Sequence, residues 1–84
     1  MVETNDSKKK KVRVRYTDHT GLDVILHFPS REAAFIGIKK DLENCKKKYF
    51  SDGNFAVQES YERTEIWSTE RKAFCMWEYA GVEN

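Results

Sequence analysis

The sequence predicts an α+β fold of ββαββ order, in which an antiparallel sheet of four strands, or five if the C-terminal part breaks once more, carries one helix packed on one face. Three observations support this. Two alternating apolar runs precede residue 29, a stretch with three- and four-residue apolar spacing follows from about residue 31, and alternation returns near the C-terminus. At 84 residues the chain has room for one domain. Charged residues make up 35% and hydrophobic residues 39%, so the core must be concentrated in a few elements. Five Phe, four Tyr and two Trp help, since each buried ring removes about 150 to 250 Å² from water.

Residues 1 to 10 have the composition of a disordered basic arm, and the domain is expected over residues 11 to 81, with a frayed tail over 82 to 84. Val12, Val14 and Tyr16 alternate with Arg13, Arg15 and Thr17, as a half-buried strand requires. Leu22, Val24, Leu26 and Phe28 repeat the pattern. If His19, Thr20 and Gly21 form a three-residue loop with Gly21 left-handed, Tyr16 faces Val24, Val14 faces Leu26 and Val12 faces Phe28. Arg15 then lies beside Ile25 and Arg13 beside His27, whereas a slip of one residue would divide the apolar set between the two faces.

Pro29 ends the second strand, and Ser30 is suited to cap a helix running from about Arg31 to Lys48. Glu32 favours its start, and Lys46, Lys47 and Lys48 favour its end. Ala34, Phe35, Ile38, Leu42, Cys45 and Tyr49 form the stripe expected to face the sheet, while Glu43 is placed to pair with Lys47. Gly37 costs about 1 kcal/mol inside a helix, so close packing on the sheet is its expected reason. Ile36 falls on the charged side, between Lys40 and Glu43.

Ser51, Asp52 and Gly53 make a turn, after which Phe55, Val57 and Tyr61 alternate as a third strand. No Gly, Pro or Asn marks a return between Tyr61 and Ala73. One long strand reaching about Trp67 and turning over Thr69 to Arg71 is the preferred reading, and a break near Arg63 giving three short strands is the alternative. From Ala73 to Tyr79, Phe74 and Met76 share one face, and Cys75, Trp77 and Tyr79 share the other.

No catalytic residues, cofactor or metal site are expected. His19 sits in a predicted tight turn and His27 on a polar strand face, and no Ser or Cys has a base suggested by spacing. Cys45 and Cys75 lie too far apart for a CxxC pair and read as core thiols. Four scattered glycines form no phosphate-cradling loop. No apolar stretch follows the basic N-terminal run and none has the length of a membrane span, so a cytoplasmic protein without membrane attachment is expected.

Two classes of partner remain. A protein is the first, since an aromatic-rich sheet with one short helix leaves a face open; Ile25, Ile36, Lys40, Trp67, Trp77 and Tyr79 are the candidate contacts. The function expected is that of a small regulator or inhibitor acting by occupying a partner's surface, with homodimerisation through a sheet edge or face as a second route. Nucleic acid is the alternative, through Lys8, Lys9, Lys10, Lys11, Arg13 and Arg15, six cations in eight residues with no acid among them. The near-neutral total of +1 weighs against it, because the excess of positive charge before residue 49 is nearly cancelled by the acids after it.

Overall fold

A computed structural model describes residues 11–70 and 72–83; the expected basic arm lies outside them, as does Asn84. Among the described residues five strands and one helix follow one another as β1 (Lys11–Asp18), β2 (Asp23–Phe28), α1 (Arg31–Tyr49), β3 (Phe55–Glu59), β4 (Arg63–Ser68) and β5 (Phe74–Glu83). All neighbours are antiparallel, in the spatial order β2-β1-β5-β4-β3. The fold is therefore α+β, with five strands in its single sheet.

The first hairpin has the predicted register, with Val12 opposite Phe28, Val14 opposite Leu26 and Tyr16 opposite Val24. Its loop is closed by the Asp18 N–H, which donates to the Leu22 carbonyl at 3.2 Å, and Gly21 supplies the left-handed residue at φ 92°. Ser30 caps α1 by accepting from the Ala33 N–H at 3.0 Å.

Ala34, Ile38, Leu42 and Cys45 are the buried line of the helix. Phe35, expected within it, points outward instead. It lies about 100° around the axis from Ala34, and the narrower line already fills the space above the central strands. Ile36 is exposed, as expected. Glu43 pairs with Lys46 at 3.0 Å, three residues on, in place of the expected Lys47. Gly37 does mark a close approach, since a Cβ there would lie 2.5 Å from Cε1 of Phe28 on β2.

The reading of one long strand through Trp67 is overturned. The chain reverses at Tyr61 and Glu62, and Ser60 does the work of a turn residue: its N–H donates to the Arg63 carbonyl at 2.8 Å and its hydroxyl accepts from the Arg63 N–H at 3.2 Å. Tyr61, expected in a strand, stands at the tip of this turn. A parity change carried the signal: Phe55 and Val57 occupy odd positions, whereas Ile66, fully buried on the same side of the sheet, occupies an even one.

β5 enters between β1 and β4, so the last strand in sequence is central in space. A bulge at Ala80 shifts its register between Val14–Tyr79 and Arg13–Gly81, with Gly81 at φ 115°. Pairing continues to Glu83 opposite Lys11, so residues 82 and 83 belong to the strand and not to a frayed tail. Val12, Val14, Ile66, Cys75 and Trp77 meet the buried helix line and Phe50 to form the core. The thiols of Cys45 and Cys75 are free and buried. No helix among the described residues is long and apolar enough to cross a membrane.

Candidate functional site

An exposed apolar surface lies where the first two turns of α1 overhang the β3–β4 turn. Arg31 opens the helix, and its guanidinium carbon stands 4.1 Å from the ring centre of Tyr61 and 4.0 Å from that of Tyr79. Its Nη2 also donates to the Tyr61 carbonyl at 2.9 Å. One long, flexible side chain is thereby held between two rings and tied to backbone. Phe35 follows one turn later, with the Lys39 ammonium 5.3 Å from its ring centre, and Lys39 in turn bridges to Glu59 on β3 at 2.6 Å.

Around the Arg31 clamp Phe35 is 58%, Ile36 63% and Tyr61 75% exposed. A shallow hollow of about 540 Å³ is bordered by Arg31, Glu32, Phe35, Ile36 and Tyr61. Three large apolar side chains left in water next to one another, around an ordered arginine, form the kind of rimmed patch on which binding energy concentrates. Ile36, Lys40 and Tyr79 were expected contacts; Lys40 is exposed one turn beyond Ile36, and the half-buried Tyr79 forms one wall of the clamp. Arg31, Phe35 and Tyr61 were missed, because the first two were assigned to a helix start and a core stripe and the third to a strand.

The other sheet face, away from the helix, carries Ile25, Trp67, Phe74 and Met76. Trp67 opposes Phe74 across β4 and β5, while Ile25 lies apart on β2, so the expected contacts Ile25 and Trp67 share a face without meeting. Trp77 does not belong to it. That side chain is 0% exposed beneath the helix, its ring centre 5.3 Å from that of Tyr16, so it serves the core and is not available as a surface contact.

The expected nucleic-acid residues are divided. Lys8, Lys9 and Lys10 lie outside the described residues, and Lys11 is exposed at the start of β1. Arg13 is half-buried and donates to the Ala80 carbonyl at 3.3 Å. Arg15 grips Asp23 with two hydrogen bonds, Nε at 2.9 Å and Nη2 at 2.6 Å, an arrangement that holds the Asp23 carboxyl below its ordinary pKa. On the same face Arg63 bridges to Glu65 at 2.7 Å. Acids and bases therefore alternate across this surface.

The helix side also contains a buried polar cluster. The Tyr16 hydroxyl lies 3.5 Å from the Cys75 sulfur and 3.9 Å from that of Cys45, and it donates to Asp18. His19 is fixed by the fold: its Nδ1 accepts from the Phe74 N–H at 3.3 Å, and its ring sits edge-on to Tyr49 at 4.6 Å. No protein-family model, curated protein or solved structure matches the chain.

Proposed function

We propose that this is a non-enzymatic protein-interaction module, a small cytoplasmic regulator or inhibitor, that binds a partner protein through the first two turns of α1 and the adjoining β3–β4 turn. The observation that carries this reading is the exposure of Phe35, Ile36 and Tyr61 around the clamped guanidinium of Arg31. A ring-clamped arginine loses little conformational freedom on binding, and exposed apolar side chains beside it gain from being covered. The partner would offer an apolar groove for Phe35 and Ile36, with acidic groups near Arg31 and Lys40. Phosphate tracking has less support, since a phosphate at Arg15 would have to displace the Asp23 carboxylate.

The test is affinity capture from the native cell with tagged wild-type protein, the pair Phe35→Glu and Ile36→Glu, and a chain lacking residues 1–11, each with and without nuclease. A protein captured in stoichiometric amount by the wild type and the truncated chain, lost with the double variant and indifferent to nuclease, is the expected result. Capture that survives the double variant but disappears with nuclease or with the arm would replace this reading by nucleic-acid binding.

A further inference from the structure

Two thiols from different layers of the fold meet in the core. Cys45 comes from the last turns of α1 and Cys75 from β5, the strand between β1 and β4. The Tyr16 hydroxyl lies against both, with the Cys75 sulfur at 3.5 Å and the Cys45 sulfur at 3.9 Å. The thiols also bond to each other, Cys75 donating and Cys45 accepting. A solitary buried thiol behaves as a small hydrophobe. Two in contact can do what neither does alone, because the oxidation product of one is within reach of the other.

The pair is approached from one side. Cys75 is 0% exposed, whereas Cys45 is 9% exposed and borders a hollow of about 440 Å³ between α1 and β2. Leu22 and Val24 on the opposite wall of this hollow are themselves exposed, so the helix does not seal it. Asp18 and Asp41 outnumber Lys48 along its border, which disfavours an anionic reagent and leaves a small uncharged one unopposed. The bond from Cys75 also holds the Cys45 thiol below its ordinary pKa against the effect of burial, while Cys75 is pushed up and stays protonated. The accessible sulfur is thus the nucleophilic one.

We propose that Cys45 is a site of oxidation by hydrogen peroxide, and that Cys75 resolves the product into a reversible Cys45–Cys75 disulfide that ties the last turns of α1 to β5. In the first step the Cys45 sulfur attacks one peroxide oxygen. The S–O bond forms, the O–O bond breaks, and the departing hydroxide takes the thiol proton and leaves as water. In the second step the Cys75 sulfur attacks the Cys45 sulfenic acid. The S–S bond forms, the S–O bond breaks, and the hydroxyl leaves with the Cys75 proton as a second water. Both sulfurs are oxidised and the peroxide is reduced. The pair lies two to three helical turns from Phe35 and Ile36, so the chemistry does not depend on the proposed partner.

The test treats the folded full chain with a small molar excess of hydrogen peroxide and reads intact mass and a non-reducing peptide map. The expected result is a loss of two hydrogen atoms, a chain that remains monomeric, and a linked pair of peptides holding Cys45 and Cys75, all reversed by dithiothreitol. In Cys75→Ala the reaction should stop at the sulfenic acid, which dimedone captures on Cys45. In Cys45→Ala the enclosed Cys75 should take up no dimedone. Where either variant fails to fold, the wild-type map decides the matter. Wild-type chain that keeps both thiols, that carries a sulfinic or sulfonic acid on Cys45 beside a free Cys75, or that forms bridges only between chains overturns the proposal.

Discussion

The Tyr16 hydroxyl donates to Oδ2 of Asp18 at 2.6 Å, linking two side chains on the same face of β1 beneath the end of the helix. Asp18 is buried, yet its other oxygen accepts from both the N–H and the hydroxyl of Thr20. Burial alone would raise the pKa of this carboxyl; the bonds from Thr20 and Tyr16 outweigh it and hold the value below the ordinary one. A depressed folded-state pKa means a stabilisation present above the unfolded value and lost as pH falls through the folded one. Asp18→Asn should therefore cost about 2 kcal/mol at pH 7 and remove part of the acid lability, as read by urea unfolding at pH 7 and near pH 3. A variant as stable as the wild type at pH 7 would mean that the cluster contributes nothing.

The two cysteines should differ in reactivity. A hydrogen bond from Cys75 lowers the Cys45 pKa to about 7 against the opposing effect of burial, with Tyr16 assisting. The same bond and burial push the Cys75 thiol up. Cys45 also borders the groove between α1 and β2, whereas Cys75 lies in the central strand. Iodoacetamide should label Cys45 first, at a rate that climbs as pH passes through about 7, and peptide mapping will show the order. Equal labelling of both, appearing only on unfolding, would contradict it.

Gly37 and Phe28 should be energetically coupled. Gly37→Ala gains about 1 kcal/mol of helix propensity in general, but here the new methyl group meets the Phe28 ring. In a Phe28→Ala background the gain should be expressed in full; with Phe28 present it should be reduced or reversed. A double-mutant cycle by chemical denaturation measures the difference, and additivity would show that the ring moves aside without cost.

Surface and core aromatics should separate sharply on truncation. Trp77→Ala empties the centre of the core and should cost about 3 to 5 kcal/mol. Phe35→Ala and Ile36→Ala should each change stability by no more than about 0.5 kcal/mol, since their side chains stand mostly in water. Thermal unfolding of the three variants checks this; a large loss at Phe35 would return that residue to the core stripe.

Much of the local architecture was legible in the residues. Alternation from Val12 to Phe28, with Gly21 at the turn, leaves one hairpin register in which both apolar sets share a face, and that is the observed register. Ser30, Glu32 and the terminal lysines placed the helix ends because capping and dipole interactions depend on close sequence neighbours. The turn at Ser60 was harder to see, since a serine side chain closed it where a Gly or Pro was sought.

By itself the sequence determined the composition of each face: period two separates Phe74 and Met76 from Cys75 and Trp77, and period 3.6 lines up Ala34, Ile38, Leu42 and Cys45. Only the tertiary structure decided which face is covered. Insertion of β5 between β1 and β4 turned Trp77 beneath the helix, and the helix, too narrow to shelter every apolar side chain it bears, left Phe35 and Ile36 in water beside Tyr61. Periodicity is a property of neighbours along the chain, whereas burial depends on what a distant segment brings to lie on top.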